Sequence, residues 1–246
     1  MEIVLIGAGN MGSAMVAGLS QYNLVVVDKN EEKLKVLKKK YPHITTALEA
    51  PNVEGKVILL AVKPQVLKQI KLSGKAKALV SILAGVSLAR LKEQIEAEFY
   101  IRAMPNVAAM YQKSITSAVG DSAFKKEAIE ILSSIGKVVW LESEKELDIA
   151  TALAASSPAW LAIVAEALVD GAVNLGLRRD KALEYMPMLF EGVGAVLDKK
   201  HPALFKDIVT SPGGTTIAGV ASLEKDGIRS AFIEAMKECY TRAKEL

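Results

Sequence analysis

Gly7-Ala8-Gly9-Asn10-Met11-Gly12 sets three glycines at the spacing GxGxxG, directly after an apolar run that ends at Ile6. In that pattern the first glycine permits a tight turn, the second lets backbone approach a pyrophosphate, and the third lets a helix pack closely on a strand. A helix opening near Asn10 would offer unpaired N–H groups and a positive dipole end to the phosphates. Glycines kept for packing alone would read the same way. Asp28 closes the next apolar run 21 residues after Gly7, where a dinucleotide fold needs a carboxylate for the adenosine ribose. Such a carboxylate favours NADH and repels a 2′-phosphate, unless it turns away and Lys29 and Asn30 cradle that phosphate. The expected chemistry is hydride transfer with NADH or NADPH, leaning to NADH. The basic run Lys33 to Lys40 is expected to decorate a solvated helix face.

Further candidates stand where later apolar runs end. Val57 to Val62 leads into Lys63-Pro64-Gln65, Leu79 to Leu83 into Ala84-Gly85, and Tyr100 to Ala103 into Met104-Pro105-Asn106. Open α/β sheets bind ligands outside the carboxyl ends of their strands. Ala61, Val62, Lys63, Pro64, Ala84 and Asn106 are therefore candidate neighbours of the nicotinamide half, although ordinary strand-to-helix turns have the same composition. Far along the chain, Asp207 to Gly219 contains Ser211-Pro212-Gly213-Gly214-Thr215-Thr216 ahead of a helical pattern. Two glycines and two threonines there make a nest of N–H donors for an anion. The competing reading is a helix–helix loop with Thr215 or Thr216 as N-cap.

Taken with the glycine turn, Val62-Lys63-Pro64-Gln65, Arg102-Ala103-Met104-Pro105-Asn106 and Thr210 to Gly219 closely resemble pyrroline-5-carboxylate reductase, the last enzyme of proline biosynthesis. The resemblance runs in order along essentially the whole chain, and Thr210-Ser211-Pro212-Gly213-Gly214-Thr215-Thr216-Ile217 is its most specific part. It implies NAD(P)H-dependent reduction of 1-pyrroline-5-carboxylate to L-proline. It also implies an N-terminal Rossmann domain and a C-terminal all-helical domain that interlocks with a second copy, as a homodimer able to assemble further. The family's substrate loop maps onto Ser211, Gly213, Gly214 and Thr215, with Thr216 as the catalytic hydroxyl.

Two positions depart from the family. Where it usually reads Ser-Gly-Ser-Gly-Pro-Ala-Tyr, this chain has Ala154-Ala155-Ser156-Ser157-Pro158-Ala159-Trp160. Members that use NADPH often carry a small or basic residue where Asp28 stands. Two other functions fit parts of the pattern. A reductase of β-hydroxyacids or of another cyclic imine would need a second-domain lysine as proton donor, for which Lys181 and Lys206 are candidates. A non-enzymatic dinucleotide sensor would fit the altered 154–157 segment.

The elements that must position these residues follow from periodicity. Seven short apolar runs, Ile3 to Ile6, Leu24 to Val27, Val57 to Val62, Ala78 to Leu83, Phe99 to Ala103, Ser114 to Val119 and Lys137 to Leu141, alternate with helical patterns. Continuous apolar strands separated by helices predict a doubly wound parallel sheet, covered on both faces. Beyond about residue 146 only helical patterns remain, so the predicted domains are 1–145 for the dinucleotide and 146–246 for substrate and dimerisation. Gly176 is expected to end one helix, Asp180 to cap the next and Pro202 to open another. In the last helix Ile228, Phe232, Met236 and Cys239 share one face, which predicts a core thiol rather than a nucleophile.

Composition narrows the classes. With 246 residues the chain can bury roughly 70–75% of its unfolded surface without disulfides or structural metal. One cysteine cannot pair internally and agrees with a reducing, cytoplasmic setting. A net charge of +3 and few aromatics argue against nucleic acid. His43 and His201 are expected in surface turns, and no spacing of Cys, His or carboxylates suggests a metal site. Half the chain is apolar (51%), yet the stretch Ala159 to Leu175 is interrupted by Glu166, Asp170 and Asn174. No membrane span is expected from it. That polar stripe reads as the solvated edge of a largely buried helix, and the apolar surplus predicts a partner chain.

Overall fold

Ile3, Val4, Leu5 and Ile6 are all buried, and their alternation divides them between two cores. Ile3 and Leu5 join Met15, Leu19 and Val26 on one side, while Val4 and Ile6 join Leu60, Leu79 and Leu91 on the other. A strand covered on both faces cannot alternate polar with apolar, which is why these runs are continuous. A computed structural model describes residues 1–244. Its first part runs β1 (Glu2–Ile6), α1 (Asn10–Gly18), β2 (Asn23–Val27), α2 (Glu31–Lys40), β3 (Thr45–Ala47), β4 (Val57–Leu60), β5 (Ala76–Ser81), α3 (Leu88–Gln94), β6 (Ala97–Met104), β7 (Ser114–Gly120), α4 (Lys125–Ser133) and β8 (Gly136–Trp140).

The eight strands form one sheet in the order β3-β2-β1-β4-β5-β6-β7-β8. Strand order reverses at β1, where β2 lies on one side and β4 on the other. That is the switch point at which doubly wound sheets open a crevice beyond their carboxyl ends. Ile6 pairs with Val27 and with Leu60, so the glycine turn leaves β1 flanked by the ends of both neighbours.

Two features of the sheet differ from the expectation. β7 runs antiparallel to β6, with Arg102 opposite Val119 and Met104 opposite Ser117. Only residues 105–113 connect them. A parallel return needs a crossover of roughly a dozen residues or more, so this connection turns back instead. β3, an edge strand of three residues just after His43, lies outside the seven runs, and the remaining strands shift by one or two residues at their ends.

From residue 144 the chain is helical: α5 (Glu144–Ala150), a π-helical turn (Thr151–Ser156), α6 (Ser157–Asn174), α7 (Arg179–Leu197), α8 (Pro202–Val209), α9 (Thr215–Lys225) and α10 (Ile228–Lys244). By compactness the chain forms two units, Met1–Ser157 together with the chain from Cys239 on, and Pro158–Glu238. α5 is helical by pattern yet packs on β6 and β7 of the first unit. Pro202 does open α8, and Gly176 follows α6 with φ +101°. Asp180 does not cap α7: it lies in the first turn, held by the Arg178 guanidinium at 2.6 Å, with Arg178 in the cap position.

The second unit has little interior of its own. Val169 is the only buried residue of α6 and Ala182 the only one of α7. Ile163, Leu175, Leu183, Met188, Leu204 and Ile208 are all exposed. Within the single chain α6 is therefore largely exposed, so the burial expected of it would have to come from a partner chain, and Cys239 is only half-buried. The membrane expectation also needs correction. Pro158 does not interrupt the helical run Glu144–Asn174, and the uncharged stretch from Ile149 to Ala165 lies wholly inside it. By length and composition alone that run could cross a membrane.

Candidate functional site

The three glycines of the first turn separate by what surrounds them. Gly7 has φ +107°, donates its N–H to Val27 O at 2.8 Å, and leaves room for no Cβ, which would lie 2.6 Å from Ala61 O. A Cβ on Gly12 would lie 1.9 Å from Gly7 O. Both glycines are explained by packing. A Cβ on Gly9 would meet nothing within 4 Å, and its backbone is extended at φ −71°, which any residue adopts. Packing gives no reason for that glycine; close approach of a phosphate does. No side chain caps α1 and no acidic residue stands in its first turn, so its end offers N–H groups and positive potential to an anion.

Asp28 stands just past β2 as expected, and its carboxylate is fixed. Oδ2 accepts the Ala8 N–H at 2.7 Å and Oδ1 accepts the Asn30 N–H at 2.8 Å. Turning away would break both bonds. Each oxygen keeps a lone pair for a ribose hydroxyl. Asn30 Oδ1 accepts the Lys33 N–H and caps α2, which fixes the carboxamide and leaves its Nδ2 as a donor, while Lys29 is exposed. A cleft of about 600 Å³ runs beside the glycine turn, lined by Ala8, Gly9, Asn10, Asn30, Lys33 and Lys40. Lys33 and Lys40 thus border this cleft rather than only a solvated face. Lys38 ties down the next loop, donating to Ile44 O at 2.6 Å.

The strand-end candidates gather on the same edge. β1, β2, β4, β5 and β6 are mutually parallel, so the glycine turn, Asp28, Ala61 to Pro64, Ala84 and Asn106 all lie at carboxyl ends. Ala61 donates to Ile6 O at 2.8 Å, which seats the β4 exit against the glycine turn, and Pro64 begins a 3-10 turn. Ala84 is exposed beyond β5. Asn106 is buried beyond β6. Its N–H donates to Ser114 Oγ at 3.0 Å, its Oδ1 accepts the Ala108 N–H at 3.2 Å, and its Nδ2 donates to Ala154 O at 3.1 Å.

The loop before α9 lies in the second unit. Gly214 N–H donates to Ser211 O at 3.0 Å, Pro212 occupies the second position and Gly213 the third with φ +69°. That is a type II turn, whose third position needs a positive φ. Gly214, not a threonine, is the N-cap of α9, and a Cβ there would sit 2.4 Å from Ser211 Oγ. Thr215 and Thr216 occupy the first helical positions, so the reading of either as the cap is excluded. Gly214 spends its N–H on the turn. The Gly213 and Thr215 amides and the Ser211, Thr215 and Thr216 hydroxyls remain as donors, on an exposed loop. His201 caps α8 through Nδ1, and His43 is exposed.

The family model described as pyrroline-5-carboxylate reductase dimerisation matches residues 144–246, and that described as NADP oxidoreductase, coenzyme F420-dependent, matches residues 2–85. A pyrroline-5-carboxylate reductase from Synechocystis sp. is 38% identical over 264 aligned residues, covering 100% of this chain and 98% of that protein. This chain belongs to the pyrroline-5-carboxylate reductase family. The pyrroline-5-carboxylate reductase of Pisum sativum is 35% identical, with 98% and 94% covered. Among solved structures, the 1-pyrroline-5-carboxylate reductase of Streptococcus pyogenes matches with a TM-score of 0.86 at 30% identity, covering 100% and 99% of the two chains. That of Coxiella burnetii gives 0.88 at 28% identity, covering 99% and 97%.

Within this reductase chain one buried charge was not singled out by spacing. Arg102, 5% exposed on β6, donates to Glu144 at 2.6 Å and to Asp148 at 3.3 Å, both on α5. The one signal for it was a charged residue inside an otherwise apolar run.

Proposed function

We propose that this chain reduces 1-pyrroline-5-carboxylate to L-proline with a reduced nicotinamide dinucleotide. The observation that carries the proposal is full-length membership of the reductase family, joined to an open Gly9 at an uncapped helix start. The cofactor, when bound, supplies hydride to the carbon of the cyclic C=N bond, and one proton must reach the nitrogen. The protein supplies position and charge. The N–H groups of Gly213 and Thr215, with the Ser211 hydroxyl, hold the substrate carboxylate, while Gly214 shapes the turn that presents them. Thr216 hydrogen-bonds the imine nitrogen and orients it. Its hydroxyl is too weak an acid to give up the proton, which comes from water or arrives on an already protonated iminium. Lys181 and Lys206, the donors a hydroxyacid reductase would need, are exposed and paired with Glu184 at 2.8 Å and Asp207 at 2.5 Å.

NADH is the preferred cofactor on this reading. Asp28 is anchored by two backbone amides and cannot yield its place to a 2′-phosphate. The deciding assay follows oxidation of NADH and NADPH side by side with 1-pyrroline-5-carboxylate. NADH should give the higher kcat/KM, and Thr216→Ala should lower kcat about 10²-fold, as loss of a positioned hydrogen bond does. Full turnover by Thr216→Ala would remove that residue from the mechanism.

A second copy of the chain covers the apolar surface of α6 and α7, consistent with a dimerisation family model over 144–246. This gives a cytoplasmic homodimer that can assemble further, and accounts for the apolar run without a membrane. Sedimentation at micromolar concentration should show a dimer or larger; a monomer would contradict this assignment.

A further inference from the structure

Pro158 sits inside the helical run that begins at Glu144, and it has no N–H to give. In a regular α-helix that N–H would go to the carbonyl four residues back, which is Ala154. The proline ring also crowds that carbonyl. The backbone widens into a π-helical turn over Thr151–Ser156, just ahead of the proline. Side chains then serve carbonyls along this stretch. Thr151 Oγ1 donates to Leu147 O at 2.8 Å and Ser157 Oγ donates to Leu153 O. Ala154 O, the one the proline would have left without its helical donor, accepts from Asn106 Nδ2 at 3.1 Å.

The orientation of that carboxamide is fixed by its partners. Oδ1 faces the Ala108 N–H, so exchanging oxygen and nitrogen would set donor against donor and acceptor against acceptor. Asn106 is buried and tied by its own N–H to Ser114, which in turn meets Thr116 at 3.1 Å. Four residues earlier on the same segment, Arg102 holds Glu144 and Asp148. β6 and its exit therefore grip the helical run twice, at α5 through Arg102 and at the π-turn through Asn106.

We propose that Asn106 is a positioning residue for the reaction: its carboxamide replaces the hydrogen bond that Pro158 removes and so fixes the π-turn at the exit of β6. It acts through the 151–156 backbone rather than by touching the cofactor. This rests on the proposed reductase activity, with the carboxyl end of β6 serving the nicotinamide half. The segment so held includes Ala154-Ala155-Ser156, where the family usually has its glycine-containing pattern, so the clamp gives stiffness to a stretch whose sequence departs from that pattern.

The test removes the donor and then restores it by another route. Asn106→Asp keeps the shape and the acceptor for Ala108 but loses the amide hydrogens. In the unliganded full chain, amide exchange over 151–157 should quicken about tenfold while β1 amides stay unchanged, as expected for losing one hydrogen bond locally. In turnover, kcat should fall about 10²-fold with KM for the cofactor nearly constant, since misplacement rather than lost binding is at issue. Adding Pro158→Ala returns an N–H opposite Ala154 O, and the double variant should recover slow exchange and at least tenfold in kcat over Asn106→Asp. Unchanged exchange in Asn106→Asp, or a raised cofactor KM that Pro158→Ala does not rescue, would overturn the proposal in favour of direct contact. Exchange that quickens and is rescued in a chain with no turnover on the imine would support the clamp and defeat the reductase reading instead.

Discussion

Gly9→Ala should leave the fold intact and weaken cofactor binding by roughly 10²–10⁴-fold, the loss of about two hydrogen bonds to a charged phosphate at ~1.5–3 kcal/mol each. The added methyl enters open space at a φ of −71°, so neither clash nor backbone strain opposes folding. Its cost to stability is that of a poorer helix cap, about 1 kcal/mol or less. Gly12→Ala makes the opposite prediction from the same turn. Its methyl would lie 1.9 Å from the Gly7 carbonyl oxygen, which is backbone and cannot swing aside. α1 would have to leave the sheet, at about 3 kcal/mol or more. Thermal melts with and without NADH separate the two. Wild type should gain stability with ligand, by about 2.7 kcal/mol at a hundred times Kd. Gly9→Ala should melt nearly as wild type does and gain little, while Gly12→Ala should melt early even without ligand. A Gly9→Ala protein that binds NADH normally would leave the glycine unexplained by either packing or phosphate.

What periodicity could and could not reveal divides along the range of the interactions. The continuous runs of β1, β4 and β5 announced a sheet buried on both faces, because burial of each residue is written in its own type. The reversal of β7 depends instead on the length of a connection, residues 105–113, which is visible only once both strand ends are known. The anion loop was recognisable from its glycines and threonines. The identity of its cap was not, because Pro212-Gly213 forms a turn that moves the helix start to Thr215. The helices beyond residue 157 are readable as helices and their apolar surplus points to a partner chain, which fits the single buried residue that each of α6 and α7 has within one chain. Arg102 and Asn106 lay in plain view, but their partners stand 42, 46 and 48 residues further on. No local pattern links them.

Arg102→Met should destabilise the packing of α5 on the sheet by about 3 kcal/mol. The substitution keeps an apolar stem of similar length, so little packing is lost. What it removes is the cation that two carboxylates share. Glu144 and Asp148 lie four residues apart on one helix face, where like charges repel. Their side chains are 34% and 35% exposed, so water tempers the penalty and keeps it at the lower end of the range for breaking a buried ion pair. Glu144 also keeps the Leu88 N–H at 2.9 Å, which holds it near the sheet after the arginine is gone. If uncompensated charge is the main cost, neutralising the partners must return stability even though no ion pair is rebuilt. The triple variant Arg102→Met, Glu144→Gln, Asp148→Asn should therefore melt above Arg102→Met alone, recovering at least half of its loss. Recovery would show that Arg102 is retained chiefly to neutralise α5 at the sheet. A triple variant no more stable than Arg102→Met would show that the directional hydrogen bonds themselves hold α5 in place, and would make Arg102 the stronger of the two grips that β6 and its exit exert on the helical run.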